Sequence, residues 1–127
     1  MKIRIEENSV RYRLRKSEVE KLSREGEVAC HTQFPDGSLH YILKLHPDAR
    51  GLSATFTEGT ITITLPEAWG LDWPDSSEVG FQAAQILEDG TQLHLLIEKD
   101  FVCLDRDPAT QQDQYPHPKG EGGEAAC

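Results

Sequence analysis

Four turn-like dipeptides, Glu7-Asn8, Asp36-Gly37, Glu58-Gly59 and Asp89-Gly90, each lie between two runs in which alternate residues are apolar. Side chains alternate across a strand, so a hairpin register that gathers the large apolar residues on one face restricts the fold severely. About Glu7-Asn8, Ile5 falls opposite Val10 and Ile3 opposite Tyr12. About Asp36-Gly37, Val28, Cys30, Thr32 and Phe34 fall opposite Leu45, Leu43, Tyr41 and Leu39. About Glu58-Gly59, Phe56 meets Ile61, Ala54 meets Ile63 and Leu52 meets Leu65, while Thr57 pairs with Thr60 and Thr55 with Thr62 on the other face. Those threonines read as ordinary strand residues. About Asp89-Gly90, Ile86 meets Leu93 and Ala84 meets Leu95, and Phe81, Leu87 and Leu96 make the second face apolar too, which calls for a cover.

The expected cover is a helix from Ser17 to Glu25. Ser17 with Glu20 has the spacing of a capping box, Val19 and Leu22 form an apolar pair at helical spacing, and Gly26 suits the stop. A second brief helix or turn is expected in Pro66-Glu67-Ala68-Trp69-Gly70-Leu71-Asp72-Trp73-Pro74, whose two tryptophans would plug an open end of the sheet. The chain therefore reads as mainly β (α+β). About eight antiparallel strands in four successive hairpins form a barrel or a curled two-layer sheet, with one short helix after the first hairpin. With 127 residues and 37% hydrophobic content, one core suffices, and it is assigned to residues 1–104. Residues 105–127 have almost no large aliphatics and are rich in acid, Pro, Gly and Gln, so they are expected to be an extended or disordered tail.

Charge is distributed unevenly. Residues 1–16 hold six Lys/Arg against two Glu, a net of +4. The whole chain has 13 basic and 22 acidic residues, so the remainder keeps seven and 20 and carries −13. An overall −9 lacks the broad basic surface that phosphate backbones require, which argues against general nucleic-acid binding. In the first hairpin, the register that collects the apolar residues on one face places Lys2, Arg4, Arg11 and Arg13 on the other. Such a planar array of donors could hold a phosphate, a carboxylate or an acidic protein surface. The plainer alternative is a solvated face paired with the chain's surplus of Asp and Glu.

Other chemistry has less support. Cys103, His117 and Cys127, with a fourth ligand from His31, His40 or His46, supply the atom types of a zinc site, but spacings of 14 and 10 match no compact finger. His31 and His40 are expected to lie diagonally on an outer face near Gln33. No Gly-x-Ser-x-Gly elbow or phosphate-binding glycine loop occurs. No cofactor is therefore assigned, with zinc or magnesium the metals worth weighing. No apolar run nears the ~20 residues of a membrane helix, and the amino terminus alternates charged and apolar residues. Three cysteines at spacings of 73 and 24, with no Cys-x-x-Cys pair, suit a reducing compartment. The expectation is a cytoplasmic protein with no membrane partner.

Were the sheet to close with its arginines inward, the layout would resemble triphosphate-processing enzymes, which are small, hairpin-rich and lined with Arg, Lys and Glu. Those enzymes begin with a Glu-x-Glu-x-Lys strand that holds metal, whereas this chain has Lys2-Ile3-Arg4-Ile5-Glu6. A second likeness covers more of the chain. Asn8-Ser9-Val10-Arg11-Tyr12-Arg13-Leu14 ahead of Ser17-Glu18-Val19, together with Glu98-Lys99-Asp100-Phe101-Val102-Cys103-Leu104 before an acidic tail, resembles a family of small uncharacterised bacterial proteins. That resemblance implies a single-domain bacterial protein and assigns no catalytic residue. The function these readings favour is a binding or interaction module whose basic hairpin contacts an anionic small molecule or an acidic partner. The alternatives are a metal-dependent hydrolase of triphosphates or other polyanions, and a structural homo-oligomer.

Overall fold

The computed structural model describes residues 1–102 and 112–116. Along the chain come β1 (Lys2–Glu6), β2 (Ser9–Leu14), α1 (Lys16–Glu25), β3 (Glu27–Phe34), β4 (Gly37–His46), β5 (Ser53–Thr57), β6 (Thr60–Pro66), α2 (Glu67–Asp72), a 3-10 turn (Trp73–Asp75), β7 (Gly80–Ile86) and β8 (Gln92–Lys99). All four hairpins form, but they do not continue into one antiparallel sheet. They make two mixed four-stranded sheets, β1-β2-β8-β7 and β3-β4-β6-β5, with no closed barrel among the described residues. In each, two hairpins lie side by side through a parallel central pair, β2 with β8 and β4 with β6. Turn chemistry governs pairing within a hairpin and is silent about pairing between hairpins, so the parallel joints were not legible locally.

Two hairpins keep the expected register. Ile3 pairs with Tyr12 and Ile5 with Val10, across a turn in which Glu7 has φ 49°. Phe56 pairs with Ile61, Ala54 with Ile63, and the threonines with one another, across Glu58 and Gly59 at φ 51° and 73°. Such positive φ angles give the backbone twist that matches flanking strands.

The other two registers differ from expectation. Val28 pairs with Leu43, Cys30 with Tyr41 and Thr32 with Leu39, because the turn is Pro35-Asp36 and Phe34 faces Gly37. Proline pre-sets the first turn position, and a slip of two leaves every side chain on its expected face. In the fourth hairpin the slip is one. Ile86 pairs with Gln92 and Ala83 with Leu95 around a five-residue loop, closed by the Leu87 N–H to the Thr91 carbonyl (2.8 Å) and the Gly90 N–H to the Leu87 carbonyl (2.9 Å). A one-residue slip inverts the face. Phe81, Ala83 and Gln85 therefore face the core side, and Ile86 is 63% exposed.

The core lies between the sheets. Val10, Tyr12, Leu14, Leu95 and Ile97 from one sheet meet Val28, Tyr41, Leu43, Ile61, Ile63 and Leu65 from the other. The Tyr12 hydroxyl donates to the Ile61 carbonyl across the interface (3.2 Å), and burial pushes the Tyr12 phenol well above its ordinary pKa. Along one seam the Gln85 side-chain amide exchanges hydrogen bonds with the Ala54 backbone (2.7 and 3.2 Å), standing in for a strand partner.

The helix α1 closes one end of the molecule instead of covering the outer face of β7 and β8. It buries Val19 and Leu22 and packs against β2, β3, β4, α2 and the 3-10 turn. The face it was expected to cover followed from the inverted register. Its cap also differs: Glu18 accepts the Arg15 N–H (2.9 Å), and Ser17 donates its N–H to Asp113 (2.9 Å). Trp73 is wholly buried at this end, its indole N–H donated to the Glu78 carbonyl (2.8 Å), while Trp69 stacks on Phe81 and is partly exposed. Within the stretch assigned to the tail, residues 112–116 pack against this same end: the Lys16 N–H reaches the Asp113 carbonyl (2.8 Å), and Tyr115 bridges to Phe101. No helix among the described residues is long and apolar enough to cross a membrane.

Candidate functional site

Strand alternation places Lys2, Arg4, Arg11 and Arg13 on the outer face of the first sheet, because Tyr12 and Leu14 between and beside them are buried. The parallel joint to β8 then supplies neighbours. One transverse row runs Lys2, Arg13, Glu98; the next runs Arg4, Arg11, Leu96, Gln82; the third runs Glu6, Ser9, His94, Ala84. Between them lies an open groove of about 520 Å³, into which Arg4, Glu6, Ser9, Arg11, Gln82 and His94 contribute.

The four cations differ in their partners. Lys2 Nζ sits 2.9 Å from Oδ2 of the buried Asp100, and Arg4 reaches Glu6 at 3.4 Å with both side chains exposed, a pairing of little energetic weight. Arg11 and Arg13 share one oxygen: Glu98 Oε1 is 2.7 Å from Arg13 Nε and 3.6 Å from Arg11 Nε. Arg13 holds the hydrogen bond. Arg11 Nε is inaccessible to water and has no hydrogen-bond partner among the described residues. Burial and the adjacent Arg13 lower the Arg11 pKa, against the opposing pull of Glu98. Guanidinium remains charged despite such a shift, so an unmet donor beside a groove is what results.

Glu98, His94 and Gln82 were not singled out from sequence. The alternation His94-Leu96-Glu98 marks a strand face, but nothing local says that this face continues the arginine face across a parallel joint. The inward arginine tunnel, weighed above as the alternative of a closed sheet, does not form among the described residues, since the two sheets stay separate and the space between them is filled with apolar side chains.

Cys103, His117 and Cys127 lie outside the described residues. His31 and His40 are directly opposed rather than diagonal, with rings stacked at 5.4 Å, and His46 Nδ1 accepts the Asp48 N–H (3.0 Å). Among the described residues no group of three or more His, Cys, Asp or Glu side chains could hold a metal.

A family model described as "Family of unknown function (DUF7009)" matches residues 1–119. No curated protein and no solved structure matches the chain.

Proposed function

The chain belongs to the DUF7009 family of unknown function, and we propose that it is a binding module that holds a compact anion, a phosphate or carboxylate group, in the groove on the outer face of its first sheet. The supporting observation is Arg11, whose Nε is shielded from water and left without an acceptor because Glu98 serves Arg13 instead. The Arg11 side chain is 25% exposed and lines the groove, so an incoming oxyanion supplies its guanidinium with the acceptor that Glu98 does not. Arg4 stands opposite Arg11, and Gln82 and His94 line the same groove, so an anion there meets two guanidinium groups and two further polar side chains together. A volume of about 520 Å³ falls in the ordinary range for small-molecule sites.

The test is titration of the protein with inorganic phosphate and, separately, citrate, followed by NMR at the arginine Nε–H signals. Arg11→Ala is expected to weaken binding about ten- to hundredfold, the worth of a charge-assisted hydrogen bond. Glu98→Gln, which frees both arginines from their shared carboxylate, should tighten it. Equal affinity in wild type and Arg11→Ala for both anions would overturn the proposal.

A further inference from the structure

The end of the molecule opposite the helices is left open, and its chemistry is the reverse of the arginine face. Because each sheet joins its hairpins through parallel strands, all the hairpin turns of one sheet emerge at the same end. At that end a cleft of about 450 Å³ opens between the sheets, lined by Ile5, Val10, Leu39, Phe56, Ile61 and Leu93, with the first sheet's turn residues Glu7 and Leu87 at its edge. Phe56 is 70% exposed and Ile5 57% exposed. Large apolar side chains gathered at an open cleft mark an interaction site more often than chance exposure does.

Charge at this end determines the occupant: Glu7 borders the cleft itself, and the other acidic turn residues lie at the same end of the sheets. The four turns carry Glu7, Asp36, Glu58, Glu88 and Asp89 and contain no Lys or Arg. All five are exposed, and among the described residues none has a cationic side chain within ion-pair distance. Thr91 donates its N–H (3.0 Å) and hydroxyl (2.6 Å) to Asp89, which favours the ionised form of that carboxylate. A fatty acid or other anionic amphiphile would bring its charge against these turns. A second copy docked mouth to mouth would bring the acidic turns of both copies toward one another, and like charges across an interface are strongly disfavoured.

We infer that the apolar mouth between the hairpin turns is a docking site for a basic amphipathic segment of a partner protein, its apolar residues seated on Ile5 and Phe56 and its Lys/Arg residues facing the acidic turns. The inference stands apart from the anion groove, since Arg4 and Arg11 lie on the outer face of β1 and β2 and Ile5 on the other, although both sites border Ser9 and Val10. Apolar anchors supply affinity in this mode of recognition, and the acidic turns supply steering and selection of partner.

The experiment uses the full chain and a synthetic helical peptide of leucine and lysine at amphipathic spacing, with the matched leucine and glutamate peptide as comparison, read by fluorescence anisotropy. The lysine peptide is expected to bind and the glutamate peptide not to. Phe56→Ser and Ile5→Ser, both at exposed positions, should each weaken binding about tenfold or more with unchanged circular dichroism. Combined Glu7→Gln, Glu58→Gln and Glu88→Gln should remove most of the salt dependence, and Arg11→Ala should leave affinity as it was. Undiminished binding in both serine variants, equal binding of the two peptides, or loss of binding in Arg11→Ala would overturn the inference. So would light scattering that shows a dimer abolished by Phe56→Ser, because the mouth would then be covered by a second copy.

Discussion

Asp100 is 2% exposed, and its carboxylate accepts from Lys2 Nζ and Gln114 Nε2, each at 2.9 Å. Burial alone would raise its pKa, but the hydrogen bonds from Gln114 and Lys2 outweigh it and hold the carboxyl below its ordinary value. In the unfolded chain an aspartate titrates near 4. A depressed folded value means that the contribution to stability is complete above that unfolded value and is lost as pH falls from about 4 through the folded one. Thermal melts from pH 6 downward should therefore show a shallower acid loss for Asp100→Asn than for wild type; parallel curves would count against the assignment. Nearby, the burial-driven rise of Tyr115 to about 12 keeps its phenol neutral beside the Lys99 ammonium, which lies 4.8 Å from the ring. Desolvation lowers the Lys99 pKa, and its ammonium donates to the Ser76 carbonyl at 2.7 Å. These contacts join residues 99–102 to residues 112–116, a pairing invisible in sequence because the partners are separated by residues of quite different composition.

At the level of elements, each hairpin followed its turn. Glu7-Asn8 and Glu58-Gly59 gave correct registers because two-residue turns leave no slack. Asp89-Gly90 misled because a five-residue loop has the same sequence signature at its centre while reversing the parity of the strands it joins. The first residue of β7 shows how tightly that pair is set. A Cβ on Gly80 would lie 2.2 Å from the Ile97 carbonyl oxygen and 2.9 Å from the Glu98 Cα, both backbone atoms that cannot move aside cheaply. Gly80→Ala is expected to cost about 1–3 kcal/mol, the usual range for overpacking. Urea denaturation measures it, and a loss under about 0.5 kcal/mol, the level of a neutral surface change, would show that the strand shifts freely.

The whole molecule is asymmetric along its strands. Trp73, Val19 and Leu22 close one end, while the turns leave the other end open. Trp73 is 0% exposed, and its ring packs on Phe81 at 5.2 Å. Trp73→Ala should destabilise the fold by about 3–5 kcal/mol. The partly exposed Trp69 should cost much less when truncated, and denaturant midpoints of the two variants compare them directly. The sequence by itself determined the strands, the two-faced first hairpin, the positions of both helical segments and the collection of arginines on one surface. These follow from side-chain alternation and turn chemistry, which act over a few residues. Only the tertiary structure decided that hairpins join through parallel strands, that Glu98 lies beside Arg11 and Arg13, and that all acidic turns of a sheet share one end. Those outcomes depend on how separate hairpins pack to bury their apolar faces, and that packing places together residues as far apart as Arg11 and Glu98 without any local pattern to announce it.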